Sequence, residues 1–149
     1  MAYHPAGIVG DLSAANATAF NRIELNPVVL LHVTELGISM NGAPNSTLVP
    51  VEFVLRRNTL VGTGAAGTVG EIHSQGTALQ ATALVENTAD GAGTVTTMHR
   101  WFVPVVSGMI WVAAPNREPD CIAAEFIAVG NIAALGASIN ATLYIVFEE

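Results

Sequence analysis

From residue 138 to the end of the chain, Ile139, Ala141, Leu143, Ile145 and Phe147 alternate with Asn140, Thr142, Tyr144 and Val146. A period of two is the signature of a strand with one buried face. At about ten residues this run exceeds the usual five or six, so it is expected to span a whole sheet before ending at Glu148-Glu149. Its second face carries Tyr144 and Val146 and is too apolar for free solvent, which predicts a central or an interface strand.

The rest of the chain reads in the same way, as short apolar runs between turn residues. Residues 28–36 predict a mostly apolar strand, followed by turn chemistry over 37–46 with Gly37, Asn41, Gly42, Pro44 and Asn45. Over 48–60, Val49, Val51, Phe53 and Leu55 alternate with Pro50, Glu52, Val54 and Arg56, and Pro50 marks an edge or strand start. A glycine-rich excursion over 62–76 precedes a weaker strand at 77–86 and a turn at 87–93 containing Asp90-Gly91. Residues 94–113 carry the strongest hairpin pattern: Val95, Thr97, His99, Trp101, Val103 and Val105 share one parity, and Ser107-Gly108 leads into Met109-Ile110-Trp111-Val112. A strand over 121–129, a turn at Gly130-Asn131 and the terminal strand complete the series.

This spacing predicts an all-β protein with about seven or eight strands, an antiparallel sandwich or barrel. Residues 1–26 show no sustained period and are expected to form an N-terminal arm, or a short helix over 12–20 capped by Asp11, ahead of a single sandwich domain at 27–149.

Composition adds a reason to expect assembly. Hydrophobic residues make up 51% of the 149 and charged residues only 11%, against about 25% charged in an average domain. So little charge cannot cover a surface, and homo-oligomerisation is the economical remedy. The chain has no lysine, and five arginines face twelve acids for a net charge of -7, which argues against direct nucleic-acid binding. Cys121 is the only cysteine and is expected in the core rather than in a disulfide. The start of the chain lacks a basic and apolar secretory signal. The apolar window 122–139 is broken by Glu125, Gly130, Asn131 and Gly136, so no membrane span is expected. The three N-x-T/S matches at Asn16, Asn45 and Asn140 then read as chance.

Candidate chemistry is thin. Gly62-Thr63-Gly64-Ala65-Ala66-Gly67 fits G-x-G-x-x-G, with Glu86 near the place of a ribose-binding acid. A dinucleotide site needs a buried strand before the glycines and a helix after them, yet Arg56-Arg57-Asn58 precedes and Gly70, Ser74 and Gly76 follow. A loop, flexible or in contact with another subunit, is the expected reading. His4, His32, His73 and His99 lie far apart, without the H-x-H of a metal-binding cupin. His99 shares a strand face with Trp101 and is the histidine most suited to titrate at an interface. Gly37-Ile38-Ser39-Met40-Asn41 misses the nucleophile elbow at its last glycine, and Cys121 has no neighbouring His. No catalytic, cofactor or metal residue is therefore assigned, and no enzyme activity is expected. The residues expected at an interface are Arg56, Arg57, His99, Trp101, Trp111, Tyr144 and Val146.

Val51-Glu52-Phe53-Val54-Leu55-Arg56-Arg57, Ile110-Trp111-Val112-Ala113-Ala114-Pro115 with Glu118, and Phe147-Glu148-Glu149 together resemble a loose group of small tailed-phage virion proteins, especially the jelly-roll or β-sandwich decoration proteins of capsids. The likeness covers about half the chain. It implies an antiparallel, jelly-roll-like β-sandwich of about eight strands, and a non-enzymatic protein that binds the major capsid protein lattice as a symmetric oligomer, often a trimer, and stiffens the shell. It also implies location in the virion after assembly in the host cytoplasm. A tail tube, fibre or minor coat protein is the alternative within the virion, and a small-ligand β-barrel or enzyme the alternative outside it.

Overall fold

The structure is a computed structural model that describes residues 5–12, 21–42, 49–72, 79–91, 93–132 and 139–149. These form twelve strands and, among the described residues, no helix: β1 (Pro5–Leu12), β2 (Asn21–Asn26), β3 (Leu31–Gly42), β4 (Val51–Asn58), β5 (Thr63–Gly67), β6 (Gly70–Glu71), β7 (Thr82–Ala89), β8 (Val95–Val103), β9 (Gly108–Val112), β10 (Asp120–Cys121), β11 (Phe126–Asn131) and β12 (Ile139–Glu148). They pair into two six-stranded antiparallel sheets. The first has the order β10-β3-β12-β1-β6 with β9 also on the β3 edge, and the second β5-β7-β2-β11-β4-β8.

The topology is that of a rolled-up long hairpin. Its two arms run side by side through the pairs β1·β12, β2·β11, β3·β9 and β4·β8. Rolling this ribbon brings β3 against β12 and β4 against β11, closing each sheet. Without β5–β7 and the short β10, the order is β1-β12-β3-β9 over β2-β11-β4-β8, the eight-stranded jelly roll. The excursion β5–β7 lies at the hairpin's turn end, extending one sheet along β2 and touching the other through β6 on β1.

The core lies between the sheets. Leu143, Ile145 and Phe147 of β12 face Phe53 and Leu55 of β4, Ile127 and Val129 of β11, and Ile23 and Leu25 of β2, all fully buried. Each such side chain contributes on the order of 1.5–3 kcal/mol of transfer free energy. In β3 the buried positions change parity, from Leu31 and Val33 to Leu36, Ile38 and Met40. A bulge permits this, since Glu35 pairs with Val146 but Val33 with Phe147. The displaced Thr34 anchors the irregularity by donating its hydroxyl to Val146 O at 3.2 Å.

Several expectations are corrected. Pro5–Leu12 and Asn21–Asn26 are strands inside the two sheets rather than an arm or short helix, because the rolled hairpin needs β1 and β2 as partners for β12 and β11. The helix expected over 12–20 lies outside the described residues apart from Leu12, which belongs to β1. The turn expected from Gly37 is the second half of β3 as far as Gly42. Gly130-Asn131 ends β11 instead of forming a turn. The pattern over 94–113 is not a hairpin. β8 pairs with β4 and β9 with β3, so the turn at 104–107, closed by Ser107 N to Pro104 O at 3.2 Å, carries the chain across from one sheet to the other.

Candidate interaction surface

The outer face of the β9-β3-β12 sheet is built by three cross-strand rows: Val112–Glu35–Val146, Ile110–Gly37–Tyr144 and Gly108–Ser39–Thr142. In the middle row the Tyr144 ring lies flat on Gly37. A Cβ there would stand 2.0 Å from Tyr144 Cε1, so only glycine leaves room. The ring's hydroxyl donates to Glu35 Oε1. That hydrogen bond, with burial and the Glu35 charge adding to it, raises the Tyr144 pKa above its ordinary value. Beside the ring an open groove of about 520 Å³ is lined by Ile38, Ser39, Met109, Ile110, Thr142 and Tyr144, with Gly108 at its edge. Ile110 is 68% and Val112 63% exposed, so this face is apolar and open to solvent. Tyr144 and Val146, expected at an interface, therefore sit here side by side and half-buried.

The flank where β8 and β9 lie in opposite sheets is closed by three rings. His99 stacks on Trp101 with centroids 5.6 Å apart, and Trp111 sits 4.7 Å from His99 and 5.6 Å from Trp101. Their positions opposite buried Leu55, Phe53 and Leu36 point them between the sheets. They pack on the core as a partly buried seal rather than as free surface anchors. The structure thus brings His99, Trp101 and Trp111 together, on the inner side of the sheet whose outer face bears Tyr144 and Val146.

Arg56 and Arg57 are separated by the strand pleat, and each is engaged within the chain. Arg56 bonds Asn21 Oδ1 at 2.6 Å and pairs with Asp90. Arg57 holds Asp120 at 2.6 Å and Glu125 at 3.6 Å. The Arg56 contact belongs to a polar cluster absent from the sequence expectations. Glu24, almost fully buried, accepts from Gly62 N at 2.7 Å, Asn21 Nδ2 at 2.9 Å and Asn87 Nδ2 at 3.0 Å. Nearby, Arg22 is buried and donates to Asn131 Oδ1 at 2.9 Å; burial lowers its pKa, while Glu86 and Asp90 act in the opposite direction.

The glycine motif takes its meaning from this cluster. It holds β5, whose backbone passes so close to β7 that a Cβ on Gly62 would meet Asn87 Nδ2 at 2.3 Å, and one on Gly64 would meet Asn87 Oδ1 at 2.4 Å. The glycines permit close backbone packing in a strand, which corrects the loop expectation, and no helix follows them among the described residues. Of the histidines, His32 lies opposite Asp120 and Glu148, while His4 and His73 fall outside the described residues. No group of three or more potential metal ligands occurs among the described residues, and no helix there is long and apolar enough to cross a membrane. Cys121 is buried, and its thiol is pushed up to about 12 chiefly by burial, with Glu125 adding to the rise.

Ile110 and Val112, exposed on the outer face of the β9-β3-β12 sheet, and Gly37, buried beneath the Tyr144 ring, are the residues that the sequence expectations missed. The signal was present: Met109-Ile110-Trp111-Val112 is apolar at both parities, and a lone glycine inside an apolar run marks a close approach.

No protein-family model and no curated protein matches the sequence. Among solved structures, the chain is similar to a chain in the acid-stable capsid of Helicobacter pylori bacteriophage KHP30, at 9% identity and a TM-score of 0.35, over 97% of this chain and 87% of that one. A chain of the Kashmir bee virus empty particle at acidic pH is similar at 8% identity and a TM-score of 0.27, over 82% of this chain and 61% of that one. VP17, a capsid protein of bacteriophage P23-77, is similar at 8% identity and a TM-score of 0.20, over 100% of this chain and 98% of that one. These neighbours come from viral capsids. The fold assignment rests on the strand pairing above and not on these likenesses, whose TM-scores are low.

Proposed function

We propose that this protein is a structural component of a virus particle, a decoration protein that binds the major capsid protein lattice of a tailed phage as a symmetric oligomer. The observation that carries an assembly role is the outer face of the β9-β3-β12 sheet, where Ile110 and Val112 stand exposed beside Tyr144 and Val146. A monomer gains nothing by showing such a face to water, and a subunit of a lattice buries it. Low charge makes the same demand over the whole surface. The choice of a virion rests on the resemblance of the three sequence segments and on the jelly-roll body, a fold-level analogy because jelly rolls also serve lectins and cupins. Each contact of such a subunit can be weak, since repetition over a lattice supplies avidity.

Light scattering on the purified protein, followed by co-sedimentation with expanded phage capsids, tests this reading. The expected result is a symmetric oligomer that pellets with the shells at a fixed ratio. A stable monomer left in the supernatant overturns it.

A further inference from the structure

Resting on the assembly role above, we propose that β9 is a strand-pairing edge through which two copies of this chain join about a twofold axis, antiparallel and centred on Ile110.

The hydrogen bonds between β9 and β3 define what the free side of β9 offers. Met40 N donates to Ser107 O at 2.8 Å and Ala113 N to Thr34 O at 2.9 Å. With the register Leu36 to Trp111 and Ile38 to Met109, the ladder uses the odd-numbered residues of β9. The amides of Gly108, Ile110 and Val112 therefore point away from β3, and no strand meets them among the described residues. Twofold pairing sets Ile110 against its own copy and Gly108 against Val112, so every outward N–H finds a carbonyl.

The occupant follows from charge and from the missing edge protection. Exposed edges are ordinarily guarded by Lys, Pro, bulges or extreme shortness. The other long edge, β8, has a bulge between the positions paired with Leu55 and Arg56, carries Arg100 within it and is followed by Pro104. β9 has none of these, and no residue from 104 to 114 is charged. In a chain of net charge -7, an uncharged strip is where two identical copies meet without repulsion, and it has nothing to offer a basic partner. Pairing also joins the two Ile110–Gly37–Tyr144 rows into one continuous apolar face.

The test uses the purified full chain. Ile110→Pro removes an outward N–H without touching the β3 ladder, and is expected to halve the wild-type mass in light scattering while leaving the thermal melt in place. Ile110→Lys applies a second edge guard to the same end. Ile110→Cys should become a disulfide-linked dimer under mild oxidation, because paired Cα atoms lie about 5.5 Å apart. Val112→Cys should not, because the two copies of that residue lie roughly 13 Å apart in this register. If Ile110→Pro fails to fold, the two cysteine variants decide. Wild-type mass retained by both Ile110→Pro and Ile110→Lys, no cross-link at residue 110, or equal cross-linking at 112 overturns the proposal. Capsid co-sedimentation reads separately: a protein that cross-links at 110 but ignores shells refutes the virion role alone, and one that binds shells as an oligomer without a cross-link at 110 refutes the β9 contact alone.

Discussion

Tyr144, Gly37 and Glu35 show how a single glycine can be required in the middle of a strand. Glycine normally weakens a strand by about 0.5–1 kcal/mol relative to alanine, yet here it makes the bed for an aromatic ring. Gly37→Ala is expected to displace the ring, break its bond to Glu35 and lower stability by about 1–3 kcal/mol in urea denaturation. In a Tyr144→Ala background the same change should be neutral or stabilising, because the clash is gone. The raised Tyr144 pKa has a pH signature as well. A phenol whose folded pKa exceeds its unfolded value of about 10 contributes fully below that value, and the contribution is lost as pH rises through the folded pKa. Urea midpoints should therefore fall above about pH 10, and Tyr144→Phe should flatten part of that fall. At Cys121, a thiol pushed up to about 12 in a buried site should not react with a thiol reagent at pH 8 until the protein is unfolded.

Among the elements, β3 and the β8–β9 crossing decide most. The Thr34 bulge lets two apolar sets of opposite parity face one core. Deleting Thr34 would place Leu31, Val33, Leu36, Ile38 and Met40 on one parity of a regular strand, because Thr34 is the one extra residue between the two buried sets. Such a variant is expected to keep a cooperative thermal transition in circular dichroism, with a midpoint lowered by loss of the Thr34 contacts to Val146 O and Ala113 N. The crossing between β8 and β9 depends on the rings that seal its flank, and Trp111→Ala should cost about 3–5 kcal/mol in denaturant unfolding. Loss of the Trp101 neighbour should also alter the near-ultraviolet dichroism.

For the whole molecule, the relevant balance is between a well-filled interior and an exterior short of charge. The sandwich needs no partner to fill its core, so assembly and folding can be separated experimentally. Val146→Asp places a carboxylate opposite Glu35 on the outer face, without entering the core. Its expected effect is a reduced oligomer mass with the thermal midpoint lowered by only a few degrees. Unchanged mass would show that the face is not buried in the oligomer.

The all-β class, the buried parity of the terminal strand, the alternation in β4 and the shortage of charge could all be read from residue order, because period-two patterning and charge content are local or additive properties. The pair Tyr144 and Val146 was likewise legible as a second apolar face. What the tertiary structure alone decided is which strand meets which. The residues at 94–113 satisfy a hairpin pattern, but β4 and β3 offer longer partners in separate sheets, so the two arms part company. The first 26 residues show no clear period, yet they supply β1 and β2, because a rolled hairpin gives their backbone a ladder on β12 and β11. The glycine motif, the Glu24 cluster and the open β9 edge arise from contacts between residues far apart in sequence, and no spacing along the chain encodes those distances.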